Sequence, residues 1–170
     1  MRPVAVAIMG LPGAGKTVVA AELQRRVAGM RRVSRDELRA ELLERPDYGD
    51  AEKRMLLGAV LERTERHLAS GRDVVLDGLT FSRRAERDAL AAAAAKHGAA
   101  AVFALLELPL DVARRRVAGA QHAAADRTPA LVADVAARFE PVAAGTLVLD
   151  ATRPVEETAA RLAAAVDAAR

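Results

Sequence analysis

The chain has 170 residues, a length that suits one domain, and a formal net charge of +3, too small an excess to point to a nucleic-acid partner by itself. It contains no cysteine, which excludes disulfides, thiolate zinc sites and cysteine nucleophiles. Aromatic residues make up 2% against 52% hydrophobic, so the core is expected from Leu, Val and Ala, and the base-stacking platform of an RNA-binding module is missing. No run reaches the ~18 apolar residues of a membrane span, and the apolar N-terminal run lacks a cleavage pattern, so a cytoplasmic location is expected.

Val4 to Met9 reads as a buried strand, and the next eight residues, Gly10-Leu11-Pro12-Gly13-Ala14-Gly15-Lys16-Thr17, satisfy G-x-x-x-x-G-K-[ST]. Only three lysines stand among 26 basic residues, and one of them occupies the position this motif requires. A helix follows from about Lys16 to Ala28, with Val19, Leu23 and Val27 on one face and Gly29 as its stop. Arg32 to Ser34 is a short strand. Ser34-Arg35-Asp36-Glu37 reads as a capping box that opens a helix with Leu38, Leu42 and Leu43 inward and ends before Pro46. From Asp50 to Ser70 the spacing of Leu57, Val60, Leu61, Thr64 and Leu68 predicts a long amphipathic helix, closed by Gly71. Strand Asp73 to Leu76 leads into Asp77-Gly78, and Ser82 is expected to cap a helix ending at His97-Gly98. Ala101 to Leu108 reads as a central strand, Pro109 to Ala118 as a basic helix, and Thr128-Pro129 as the start of a helix to about Phe139. Thr146 to Leu149 and the helix from Pro154 complete the chain. Regular alternation of strand and helix predicts an α/β fold in which a parallel sheet is covered on both faces.

The glycine-rich octapeptide predicts a phosphate cradle. Its backbone N–H groups and the following helix N-terminus face an anion, Lys16 reaches the β- and γ-phosphates, and the Thr17 hydroxyl is placed for Mg²⁺. ATP and Mg²⁺ are therefore the expected ligands. None of the three lysines stands in the [NT]-K-x-D context that reads guanine, and Asp77 lacks the following glutamate of a hydrolytic motor. Transfer to a hydroxyl remains, which asks for an acceptor base and for cations around the transferred group. Asp36, just after the second strand on the same sheet edge as the cradle, is the candidate base, although an acid in a first helical turn is also favoured by the helix dipole. Arg39 shares its helical face and is a candidate acceptor contact or a solvated arginine. Asp77 is placed for metal coordination through water, for orienting the acceptor, or as a plain turn residue. Arg83, Arg84 and Arg87 read as solvated. Of Arg114, Arg115 and Arg116, one is expected to face the site. His67, His97 and His122 have no ligand spacing, and His97 reads as a helix C-terminal cation.

The chain resembles the AAA-domain, polynucleotide kinase, zeta toxin and gluconokinase-like group of small P-loop kinases. The resemblance is carried by Gly10 to Thr17, Ser34-Arg35-Asp36-Glu37-Leu38-Arg39, Val74-Val75-Leu76-Asp77, the segment from Leu108-Pro109-Leu110 into Arg116, and Arg138-Phe139-Glu140-Pro141. It implies a three-layer P-loop NTPase fold with a five-stranded parallel sheet and a small helical lid over about residues 110–128, mobile when empty. It also implies Asp36 as general base, Arg39 at the acceptor and Arg116 over ATP; with the residues read above, the expected catalytic set is Lys16, Asp36 and Arg116, with Asp77 also at the acceptor and Thr17 and Asp77 at the metal. Many relatives carry a second lid arginine where this chain has Ala120, and Arg127 is the candidate substitute. The expected activity is ATP-dependent transfer to a hydroxyl acceptor, a small molecule by preference. A polynucleotide 5′-hydroxyl is the alternative acceptor, and an ATP-sensing regulatory protein without phosphotransfer is the alternative from another class.

Overall fold

The computed structural model describes residues 1–119 and 127–170. Five parallel strands, β1 (Val4–Met9), β2 (Arg31–Ser34), β3 (Val74–Asp77), β4 (Ala100–Glu107) and β5 (Leu147–Asp150), form one sheet in the order β2-β3-β1-β4-β5. Seven helices accompany them among the described residues: α1 (Lys16–Arg26), α2 (Arg35–Leu42), α3 (Asp50–Ala69), α4 (Arg84–Lys96), α5 (Leu110–Gly119), α6 (Pro129–Arg138) and α7 (Val155–Ala169). None of the described helices is long and apolar enough to cross a membrane. This is the three-layer, five-stranded P-loop architecture that the sequence implies.

β1 is buried along its whole length, as its unbroken apolar run requires. Its residues alternate between two cores. Val4, Val6 and Ile8 pack with Val19, Leu23, Leu162 and Val166 under α1 and α7, whereas Ala5, Ala7 and Met9 pack with Leu56, Val60, Leu90 and Ala94 under α3 and α4. A third cluster of Ala113, Val117 and Val132 joins α5 to α6 and reaches Leu11 of the glycine-rich loop. The C-terminal ends of β1, β2 and β3 therefore open on the same edge, beside the loop.

Three local readings are corrected. Leu42 was expected to face inward, but it is 48% exposed. α2 ends at that residue, and its buried positions are Leu38 and Arg39. Ser82 does not cap α4; Arg83 is the N-cap residue, its N–H donating to Glu86 Oε2 at 3.2 Å. Ser82 is instead buried, and its carbonyl accepts from Glu140 N–H at 2.8 Å. Arg87 is not solvated. It is buried, and its guanidinium donates to the carbonyls of Phe81 at 2.9 Å and Pro141 at 2.8 Å, tying the loop after β3 to the loop after α6.

Candidate active site

The glycine-rich loop takes its shape from positive φ angles that other residues rarely adopt. Gly13, at φ 86°, also lies so close to α5 that a Cβ would stand 2.8 Å from the Ala113 carbonyl. The loop thus needs glycine twice over, once for conformation and once for contact with α5. Lys16 folds back over it, its Nζ donating to the Gly10 carbonyl at 3.0 Å and the Leu11 carbonyl at 2.9 Å. Desolvation, reinforced by the positive charges of Arg127 and Arg35, lowers the Lys16 pKa to about 7; Asp77 and Asp36 oppose that shift.

Thr17 Oγ1 donates to Asp77 Oδ1 at 2.9 Å, joining the first turn of α1 to the end of β3. The other Asp77 oxygen receives Arg32 at 3.1 Å. Gly78, at φ 82°, lets the chain leave β3 against the start of α2, where a Cβ would approach Arg35 Cβ to 3.3 Å. A hydroxyl and a carboxylate in contact at a phosphate cradle form an all-oxygen donor set of the kind Mg²⁺ takes. The two metal candidates of the sequence are therefore brought together. Among the described residues no cluster of three or more His, Asp or Glu side chains forms a separate metal site.

Ser34 caps α2, its Oγ accepting from Glu37 N–H at 3.3 Å, and this cap sets Asp36 at the sheet edge. Three arginines converge on its carboxylate: Arg39 at 2.8 Å, Arg127 at 2.9 Å and Arg35 at 3.3 Å. Arg39 lies behind Asp36, not on the cavity wall. It is 4% exposed, pairs with Glu52 Oε1 at 2.7 Å, and lies 4.8 Å from the centre of the Tyr48 ring. Glu52 in turn accepts from the N–H groups of Asp47 and Tyr48 at 2.7 and 3.0 Å. Burial pushes the Glu52 carboxyl up, and the bonds from Arg39 and from the Tyr48 and Asp47 N–H groups more than reverse this, leaving it below its ordinary value. The loop between α2 and α3 is thereby fastened to the underside of Asp36.

Lys16, Thr17 and the loop face a cavity of about 700 Å³. Arg35 and Arg127 line it beside Asp36, and Arg116 borders it from α5. Arg116 Nη1 donates weakly to the carbonyls of Gly13 at 3.4 Å and Ala151 at 3.3 Å. Of its neighbours, Arg115 pairs with Asp111 at 2.6 Å and Arg114 is exposed, so one arginine of the three faces the site. A smaller cavity of about 240 Å³ adjoins the large one at Gly15, Val18 and Arg116 and is bordered also by Ala151, Arg153 and Val155. The sequence does not single out the part of the large cavity's lining that comes from Lys53, Arg54 and Leu57 of α3 and from Leu131, Val135 and Arg138 of α6. Their i, i+1, i+4 and i, i+4, i+7 spacings are legible as helix faces, but only the tertiary packing turns those faces into the cavity. Ala120 and His122 lie outside the described residues, as does the middle of the segment read as a lid.

Fold and loop together define a P-loop protein with a kinase-like architecture. The AAA domain family model matches residues 6–142, and the chain belongs to that family. Among solved structures, the chain is similar to the Mycobacterium tuberculosis APS kinase CysC in complex with AMPPNP and APS, at 19% identity and a TM-score of 0.77, with 98% of each chain covered. It is similar also to a gluconokinase from Sinorhizobium meliloti 1021, at 22% identity and a TM-score of 0.72, with 99% of this chain and 94% of that one covered. The Pnkp1/Rnl/Hen1 RNA repair complex matches at 18% identity and a TM-score of 0.62, over 82% of this chain and 47% of that one. No curated protein matches the chain in sequence. At these identities the structural neighbours establish the fold.

Proposed function

We propose that the protein is an ATP-dependent kinase that transfers the γ-phosphoryl group to a hydroxyl of a small-molecule acceptor. The observation that carries this reading is a single cavity lined by Lys16, Thr17, Arg35 and Arg127, with the Asp36 carboxylate held directly behind that lining by Arg35, Arg39 and Arg127. The loop N–H groups and Lys16 hold the β- and γ-phosphates, and the smaller cavity beside Val18 and Arg153 takes the base. Thr17 and Asp77 would hold Mg²⁺, which when bound neutralises charge shared by the β- and γ-phosphates. Asp36 accepts the proton of the acceptor hydroxyl as that oxygen bonds to the γ-phosphorus. The bond from phosphorus to the β,γ-bridging oxygen breaks, and ADP leaves. Arg116, whose present bonds to two carbonyls are long, has its guanidinium available for charge that develops on the phosphoryl oxygens.

The test is incubation with γ-labelled ATP and a panel of hydroxyl acceptors, with Lys16→Ala as the comparison. Labelled product from the wild type and its loss in the variant are expected. ATP binding without label transfer to any acceptor would replace this reading with that of an ATP-sensing protein.

A further inference from the structure

The charge of the large cavity is out of proportion to that of the chain. Eight basic side chains and two acidic ones line it, in a chain of formal net charge +3, so the rest of the molecule is net negative. Asp36 and Asp77 stand behind this wall and bring the surplus down to four positive charges. The phosphate tail of Mg²⁺-bound ATP supplies on the order of two negative charges. About two positive charges are left over, and their source is the lining that α3, the entry to α4 and α6 supply.

That part of the lining carries four cations: Lys53 and Arg54 on α3, Arg83 at the entry to α4, and Arg138 on α6. Among the described residues Arg54, Arg83 and Arg138 have no carboxylate within ion-pair distance, and Lys53 has only Asp50 at 4.0 Å. Elsewhere on α3, Arg63 and Arg66 do have such partners, Glu41 at 3.0 Å and Glu62 at 2.5 Å. Leu57, Leu79, Leu131 and Val135 line the same cavity, apolar surface that strengthens an ion pair formed within it. None of the four aromatic residues, Tyr48, Phe81, Phe103 and Phe139, lines the cavity, so it lacks the stacking surface of a single-strand binding channel.

We infer that the acceptor is itself a small anion, a hydroxyl-bearing molecule whose own phosphate, sulfate or carboxylate group seats against Lys53, Arg54, Arg83 and Arg138. This rests on the kinase reading and narrows its substrate class. The anionic group anchors the acceptor at these four cations, its apolar portion lies on Leu57 and Val135, and its hydroxyl is turned toward Asp36 and the γ-phosphate. Guanidinium groups on three different elements suit a planar or tetrahedral oxyanion, which they bind through paired N–H donors.

The experiment fills the loop of the full chain with AMPPNP and Mg²⁺, then titrates inorganic phosphate and inorganic sulfate calorimetrically into the wild type and the Arg54→Gln/Arg138→Gln double variant. Saturable binding to the loaded wild type, at least ~10-fold weaker in the variant while AMPPNP affinity is unchanged, is the expected result. Absence of saturable binding, or equal affinity in both proteins, overturns the inference. A parallel label-transfer screen uses matched pairs: glucose and gluconate, glycerol and glycerol 3-phosphate, adenosine and adenosine 5′-phosphate, with a 5′-hydroxyl oligonucleotide beside them. Preference for the anionic small molecules, with KM raised in the double variant, supports the inference; preference for neutral members or for the oligonucleotide overturns it. If no acceptor is labelled, the kinase reading fails, and the phosphate titration still decides whether the anion site exists.

Discussion

Nucleotide affinity is expected to depend on pH through Lys16. Its ammonium is desolvated and faces Arg127 and Arg35, which lowers its pKa to about 7. Asp36 and Asp77 pull in the opposite direction without restoring it. A bound triphosphate adds several negative charges beside Nζ and raises the pKa toward the ordinary lysine range near ~10.4. The sign follows from linkage: the ligand binds the protonated form more tightly, so affinity falls as pH rises through the free-state value. With a free pKa of about 7, half of the lysines are protonated at pH ~7 and about one in a hundred at pH ~9, so affinity should drop about 50-fold between these values. The terminal phosphate of ATP is already ionised over most of this range and contributes little to the slope. Calorimetry with ATP, in the absence of an acceptor, in buffers of different ionisation enthalpy reads both quantities, with uptake of about half a proton at pH ~7 rising toward one above pH ~8. A Lys16→Arg variant, whose guanidinium stays protonated, should show a flat profile. A flat wild-type profile to pH ~9, with no proton uptake, would refute the argument.

Three further outcomes are expected. Asp36→Asn should lower transfer by ~10²- to 10⁴-fold while ATP affinity stays nearly unchanged, measured by initial rates and AMPPNP titration; normal transfer would move the base to Asp77. Arg116→Ala should depress kcat more than it weakens ATP binding, because the guanidinium makes only long bonds to two carbonyls and is available for charge that develops in the transition state; an unchanged kcat would remove it from the mechanism. Glu52→Gln should lower the Tm at neutral pH by loosening Arg39 and the Asp47–Tyr48 loop. Since the folded-state pKa of Glu52 lies below its ordinary value, the gap in Tm between wild type and variant should close as pH falls through the ordinary carboxylate range to that lowered value; a constant gap would contradict the assignment.

The elements most legible in the sequence were those where local chemistry and burial agree. β1 is an uninterrupted apolar run with a cradle motif at its end, and both the strand and the loop stand where the pattern puts them. Thr128 does cap α6 as expected, accepting from Leu131 N–H at 3.2 Å. Arg39 and Arg87 were not legible, since an arginine in an arginine-rich chain reads as solvated until tertiary packing supplies Glu52 to one and three loop carbonyls to the other. The part of the cavity lining that comes from α3 and α6 was hidden for a related reason. Helix periodicity identifies the face that enters the core, whereas Lys53, Arg54 and Arg138 lie on faces whose orientation is set by how α3 and α6 pack.

Transfer from ATP to an acceptor within one cavity is followed directly by phosphorus NMR of the full chain with ATP, Mg²⁺ and the acceptor panel. A new phosphomonoester resonance that grows in step with ADP, one for one, is the expected result. ADP accompanied only by inorganic phosphate, or unchanged ATP despite nucleotide binding, would contradict it.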